Sequence, residues 1–313
     1  MTKSRRLAYL ALIGNMVLWA LAIPIAKRGF ADGLTPTTFL LGRYLLAIPL
    51  SLPIIFSLYK KSSVRAAFVP KTLLKIILLE LLGTVIALLL LYEGVNRTTA
   101  VEASLIAITW PIFVTIGGVL WLKEKEEFHE LLGLILAIAG TTILVVKPLV
   151  NGTSLSGNLV GNLLIVGQNI SIAIYYLSAK KIYAPLNKWA VTHLSFWVGL
   201  GGFASLEIFQ GGNPISSLDK VVANPSPWPL LAIVYMAIGG SILGLTLYLI
   251  GQDKIEASEA AVFTYLEPVI SIPAAMFLLR ESIGPLEILG AAIIALGVYL
   301  VSIRPKKRKT IAQ

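Results

Sequence analysis

The sequence predicts an all-α membrane protein of ten transmembrane helices, arranged as two inverted five-helix repeats with N- and C-termini cytoplasmic. Three observations carry this expectation. Apolar residues fall into ten runs of about 20, the length that crosses a bilayer. A shift of 157 residues lays six Glu, Gly and Pro positions onto identical residues without a gap. Lys and Arg alternate between crowded and sparse connecting segments.

Composition sets the solvent. Of the 313 residues, 57% are hydrophobic and 13% charged, against roughly 25% charged in ordinary globular domains. The net charge of +10 does not signal nucleic-acid binding, because the basic residues sit between apolar runs and not along one solvated face. With no cysteine, disulfides, thiolate metal sites and thiol catalysis are excluded.

The runs are 7–26, 36–58, 72–92, 98–121, 129–146, 157–179, 189–209, 228–250, 257–279 and 284–303. Short connections such as "RGFADGLTP" and "GGNPISSLDKVVANPSPWP" carry the Gly, Pro, Asn and charge that end helices. "MTKSRR", the first run and Ala20-Leu21-Ala22 imitate a secretory signal with its cleavage site. Cleavage would leave nine spans and break the repeat, so the first run is kept as a span. In the repeat, Glu102 falls on Glu259, Pro111 on Pro268, Glu124 on Glu281, Gly133 on Gly290, Gly140 on Gly297 and Pro148 on Pro305. The first three spans of each half match far less clearly. The division is residues 1–150 and 151–313.

Five spans per half is an odd number, so the second half enters the membrane the other way up. With the N-terminus inside, nineteen Lys and Arg lie on inside segments and six on outside ones, leaving Arg43 within the membrane. Inverted repeats of this kind suit a carrier whose halves rock about a midplane site.

"YLEPV", "LLRES" and "LEILGAAIIALGVYLV" resemble the signature of the EamA branch of the drug/metabolite transporter superfamily. "LGRYLLAIPL" resembles that family's Arg-bearing second helix, and "LWALAIPIAKR" its Trp-bearing first helix. The resemblance covers essentially the whole chain. One departure is that the usual Gly before the loop Glu is Lys123 in one half and Arg280 in the other, which bears on the tightness of those turns. The resemblance implies export, or sometimes uptake, of amino acids and other small metabolites.

Glu267 is the leading site candidate. An intramembrane carboxylate is costly and therefore functional by default, as a proton carrier or the partner of a cation. The competing role is a hydrogen bond to backbone freed by Pro268. Thr264, Glu267 and Ser271 share a face by three- and four-residue spacing. The repeat equivalent of Glu267 is Trp110, also before a proline, so Pro111 and Pro268 are expected to form symmetric bends. Gln168, Ser171, Tyr175 and Ser178 form one polar stripe on the sixth run, either facing a cavity or hydrogen-bonding a neighbouring helix. Asn15 and Trp19 lie one turn apart on the first run. Tyr248 and Tyr92 stand near run ends, as substrate contacts or as interfacial aromatics. Arg43 needs a partner, and Glu80 on the next run is the expected one, as a structural ion pair. Glu102 and Glu259, near run ends, suit helix N-termini.

The two histidines, His129 and His193, belong to no readable triad, metal cluster or phosphate loop. No enzyme activity, metal or cofactor is expected. The expectation is a secondary active transporter, an exporter of amino acids or similar metabolites, in the plasma membrane. Its partners are a small-molecule substrate, the lipid bilayer and protons as candidate coupling ion. A uniporter or channel-like pore for a small organic cation or metabolite is the alternative, and saturation with counterflow separates carrier from channel.

Overall fold

A computed structural model of the protein describes residues 3–122, 128–150, 157–252 and 263–302. Lys123, Glu124 and Glu259 lie outside the described residues. Every regular element among those described is helical. Among the described residues, seven helical stretches are long and apolar enough to cross a membrane: Arg5–Ala31, Pro36–Leu58, Pro70–Arg97, Ala100–Leu120, Leu131–Leu149, Asn158–Lys180 and Trp228–Gly251. The described parts of the other three predicted runs are helical too; Glu267–Leu279 and Pro285–Leu300 are shorter, and Lys188–Phe209 carries Lys188, His193 and Glu207.

Several spans are interrupted, each where a local cause can be named. The first is α1 (Lys3–Ala20) followed by α2 (Ala22–Ala31), broken at Leu21 three residues before Pro24. Next, α3 (Pro36–Leu58) starts where Thr35 accepts the Thr38 N–H and Pro36 fills the first turn. It contains Pro49 and Pro53, tolerated in a membrane helix where neighbours re-satisfy the backbone. The short α4 (Ser62–Arg65) precedes α5 (Pro70–Glu80). A π-helical turn at Leu81–Ile86 joins α5 to α6 (Ala87–Arg97). Then α7 (Ala100–Ala107), capped by Thr99, stops just short of α8 (Trp110–Leu122).

The remaining elements are α9 (Phe128–Val150), α10 (Gly157–Tyr183), α11 (Lys188–Phe209), α12 (Pro214–Val222) and α13 (Trp228–Tyr235). A second π-helical stretch, Met236–Gly244, leads into α14 (Leu245–Gln252). A 3-10 turn, Phe263–Leu266, precedes α15 (Glu267–Leu279), and α16 (Pro285–Ser302) follows. The sequence reading took α12 for loop. It is an amphipathic helix capped by Asn213, with Val221 buried and Lys220 exposed.

The outside is apolar. Phe209 is 90% exposed and Phe277 86%, a burden in water that lipid removes. Inside, Phe30, Phe39 and Tyr92 form an aromatic cluster with centroids 4.8–6.2 Å apart, tying α2, α3 and α6 together. Tyr92 is therefore a core residue, not an interfacial one. The closest helix pair is α9 and α16. A Cβ on Gly140 would lie 2.8 Å from the Gly290 carbonyl oxygen, and one on Gly297 would lie 2.6 Å from the Ala137 nitrogen. Only glycine permits that approach, the small-residue packing that membrane helices use in place of a hydrophobic drive.

The turn after α15 explains the family's glycine. Arg280 has φ 55° and ψ 30°, a left-handed conformation that costs a side-chain-bearing residue about 1–2 kcal/mol. That turn delivers Glu281, whose two carboxylate oxygens accept the Ala100 and Val101 N–H groups at 2.8 and 2.9 Å. The departure from glycine leaves the turn intact and strains it. Because the Arg280 side chain is exposed, Arg280→Gly should relieve the strain at a loss of about 0.5–1 kcal/mol in unfolded-state entropy. The expected outcome is a rise of about 1–3 °C in the midpoint of thermal unfolding in detergent, and a fall would deny the strain.

Candidate functional site

The two π-helical stretches organise the interior. A π turn widens the helix and turns carbonyl oxygens aside from the regular ladder, and such turns recur at functional sites. The second stretch receives α1. Asn15 Nδ2 donates to the Gly244 carbonyl at 3.0 Å, and Trp19 Nε1 donates to the Gly240 carbonyl at 3.1 Å. Tyr235 OH returns a bond to the Leu18 carbonyl at 2.8 Å, one of the carbonyls left over where α1 ends. The first stretch receives α10. Ser171 Oγ donates to the Leu82 carbonyl at 3.1 Å, and Tyr175 lies against Gly83.

Arg43 and Glu80 do not pair. Glu80 is buried and saturated by hydroxyls: Tyr175 OH and Tyr183 OH both donate to Oε1 at 2.8 Å, and Thr84 Oγ1 donates to Oε2 at 2.5 Å. Three donors satisfy a carboxylate without a cation. Arg43 Nε instead donates to Ser241 Oγ at 2.8 Å, the guanidinium sits 5.1 Å from the Tyr44 ring centroid, and Nη1 is enclosed with no hydrogen-bond partner. The expectation of a sequential ion pair overlooked how many hydroxyls the polar stripe of α10 would bring to Glu80.

The rest of that stripe is divided. Ser171 and Tyr175 serve helix–helix bonds, whereas Gln168 is buried with Oε1 unpartnered. Beside it, Asn169 escaped the sequence reading. Its Nδ2 donates to the Ile106 carbonyl at 2.8 Å and Thr109 Oγ1 at 3.0 Å, groups flanking the gap between α7 and α8. An Asn within an apolar run, one position off a polar stripe, was the available signal.

Glu267 does not sit in mid-helix. It is the first residue of α15, with Pro268 in the first turn. There proline displaces no hydrogen bond, so the backbone-repair role has nothing to repair. The helix end also favours a carboxylate. Glu267 is part-buried and has no hydrogen-bond or ion-pair partner among the described residues. Thr264 lies in the preceding 3-10 turn, not in the helix that carries Glu267 and Ser271. Trp110 and Pro111 likewise open α8. Trp110 stacks on Tyr176 at 5.0 Å, and Trp19 meets Tyr248 at 5.4 Å. The Tyr92 hydroxyl points at Met236 Sδ, 3.8 Å away. Arg43 and Glu267 make no ion pair with each other.

One end of the molecule is closed by a separate network. Lys147 Nζ donates to Glu102 Oε1 at 2.6 Å and also to Glu287 Oε1. Glu102 Oε2 accepts from Thr98 Oγ1 and Asn162 Nδ2, each at 2.8 Å. These bonds, with the Glu281 cap on α7, join α7, α9, α10, α15 and α16. Glu102 does stand in the first turn of its helix, as expected, but its carboxylate is spent on Lys147 and Asn162. No group of three or more His, Cys, Asp or Glu side chains suited to a metal occurs among the described residues.

Comparison with known proteins places this architecture. The model of the EamA-like transporter family matches residues 6–146 and again 159–303. Similar curated proteins include the uncharacterized transporter YetK of Bacillus subtilis, 24% identical over 85% of this chain and 78% of the relative. An uncharacterized transporter of Archaeoglobus fulgidus is 24% identical over 94% and 96%. The WAT1-related protein At5g13670 of Arabidopsis thaliana is 26% identical over 94% and 83%. A solved crystal structure shares the fold with a TM-score of 0.58 at 18% identity, covering 95% of this chain and 97% of that one. The chain is a multi-pass membrane protein of the EamA-like transporter family, in the drug/metabolite transporter superfamily.

Proposed function

We propose that this transporter is a ten-span secondary carrier of the plasma membrane, exporting amino acids or similar small metabolites by alternating access between two inverted halves, residues 1–150 and 151–313. The observation that carries the reading is a crossed docking. The first helix of each proposed half hydrogen-bonds the π-turn in the third span of the other. Shifting Leu81–Ile86 by 157 residues lands inside Met236–Gly244, bringing Gly83 onto Gly240 and Thr84 onto Ser241. Asn15 and Trp19 stand one turn apart on α1 as Ser171 and Tyr175 do on α10. The seam of α9 and α16 has the same character: the contact of Gly133 with Gly297 becomes that of Gly290 with Gly140 on exchange of the halves. The double match of the family model supports the same division.

Two halves docked by equivalent bonds can exchange conformations, which is how inverted repeats yield inward- and outward-open states. In this reading Glu102, Lys147, Glu287 and Glu281 close the outer end, and the chamber lies between the halves with Trp19, Trp110, Gln168, Tyr248 and Glu267 around it. Glu267 is the coupling group or the ligand of a substrate amine. A channel-like pore is the second reading, and counterflow of labelled substrate in proteoliposomes separates them, since a pore shows none.

Topology is tested in the cysteine-free chain. A cysteine at Ser62 should react with an impermeant maleimide only from the cytoplasm, and one at Ser216 only from outside; reaction of both from one side breaks the five-plus-five arrangement.

The closed end is tested with Lys147→Met, which leaves two nearly buried carboxylates uncompensated. Breaking such a pair costs about 3–5 kcal/mol, enough to shift a two-state equilibrium strongly. Labelling of a cysteine at Gln168 from outside should accelerate about tenfold or more, and an unchanged rate means the network is not a gate.

The coupling role is tested with Glu267→Gln, which keeps shape and removes the titratable charge. Wild-type transport should respond to external pH, while the variant exchanges substrate without that response. A variant that keeps both rate and pH dependence assigns no coupling to Glu267.

A further inference from the structure

We infer that the groove between α7, α15 and α16 holds one acyl chain of an anionic phospholipid of the cytoplasmic leaflet, its headgroup drawn by the basic sequence that follows α16. This site stands apart from the chamber proposed above and takes from that reading only the identity of the leaflet.

The groove follows from how α16 spends its faces. Gly290 and Gly297 press against α9. On the adjoining side α16 offers Ala291 and Ala295, one turn apart, and side chains that small leave a hollow. A cavity of about 410 Å³ remains there. Pro268, Val269 and Ile272 of α15 wall it, with Leu105 and Ile108 at the end of α7.

The lining selects an apolar occupant. Among the described residues that line the groove, only Tyr299 has a polar side chain. Pro268, in the first turn of α15, has no N–H to leave unpaired. Water finds too few partners on such walls, and an irregular peptide segment would leave its own polar backbone unsatisfied. A hydrocarbon chain needs no partner. The groove is open to the surroundings, with Val269 66% and Tyr299 64% exposed. Ala291, Ala295, Val298 and Tyr299 follow one another along one face of α16, over eight residues or about 12 Å of helix. That is a narrow track suited to a single extended chain.

The inner end of the track selects the headgroup. Tyr299 stands three residues before Ser302, the last residue of α16, at the level where tyrosine hydroxyls meet headgroups. The sequence then continues with Arg304, Lys306, Lys307, Arg308 and Lys309. Arg304 is five residues beyond Tyr299, a reach of no more than about 18 Å. Basic clusters directly cytoplasmic of a span attract anionic lipid. The groove therefore takes the chain and the basic sequence takes the phosphate.

The test uses the full-length protein in detergent and in nanodiscs. Probes are phosphatidylglycerol and phosphatidylcholine of identical acyl chains, and a phosphatidylglycerol with a photoreactive diazirine in one chain. Binding is read as saturable thermal stabilisation. Phosphatidylglycerol should half-saturate wild type at about a tenfold lower concentration than phosphatidylcholine. Ala295→Phe, which fills the groove, should abolish saturable stabilisation by either lipid. Leu296→Phe, exposed and off the lining, should preserve it. Arg304→Gln, Lys306→Gln and Lys307→Gln together should erase the preference and leave phosphatidylcholine binding unchanged. The photoprobe should attach near Ile272, Ala291 and Val298 in preference to Phe209 and Phe277, which are also exposed. That map needs no variant and decides the matter if Ala295→Phe does not fold. A preference that survives Ala295→Phe or loss of the three charges overturns the inference. So does even attachment over the exposed apolar surface, or a disulfide-linked dimer from Tyr299→Cys, which would put a second copy over the groove. Attachment in the groove with a cysteine at Ser62 labelled from outside keeps the site and overturns the topology instead.

Discussion

The structure depends on one constraint: backbone carbonyls turned aside at two π-helical stretches must find donors where no water is available. In a bilayer an unsatisfied peptide group costs several kcal/mol, so the donors have to come from the protein. Asn15 and Trp19 supply them for Met236–Gly244, and Ser171 for Leu81–Ile86. In each case the donor helix lies far away in sequence. The stretches matched by the family model are thereby cross-linked through polar side chains as well as through the apolar packing of α9 on α16 and of α3 on α11. Such bonds fix register along the helices.

The same constraint explains the placement of polar residues elsewhere. The gap between α7 and α8 leaves carbonyls that Asn169 covers. Glu281 covers the first N–H groups of α7, and Thr99 caps the same helix end. Other buried polar groups serve side chains instead: Glu80 accepts from Tyr175 and Tyr183, and Glu102 from Lys147.

The helices were legible because hydrophobic length is a property of local sequence: run 36–58 became α3 (Pro36–Leu58), and run 189–209 became α11 (Lys188–Phe209). The π-turns were not, because leucine, glycine and isoleucine carry no local mark of a widened turn. Their partners decide it, and those partners lie 89 residues away for Ser171 and 229 for Asn15. The weak match between the third spans has the same origin. What recurs there is a backbone shape and a hydroxyl, Thr84 in one and Ser241 in the other, while the charged residue each contacts differs. Pairing Arg43 with Glu80 failed for a related reason. Adjacency in sequence placed the charges on neighbouring helices, but Tyr175 and Tyr183 reach Glu80 from α10. Tyr92 was left between a substrate contact and an interfacial aromatic because its position near a run end hid its packing against Phe39.

Equivalent scaffolds can carry unlike chemistry, and the residues before Pro111 and Pro268 illustrate how. Both open a helix after a break, α8 in one case and α15 in the other. At one site the exposed helix end is met by an indole stacked on Tyr176; at the other it carries a carboxylate. The proline and the break are structural and recur 157 residues apart. The side chain before each proline is free to differ because it does not hold the break together. The same separation holds at Thr84 and Ser241, where a shared hydroxyl turns to a glutamate in one place and an arginine in the other. Backbone repair recurs at the two π-helical stretches, and charge does not.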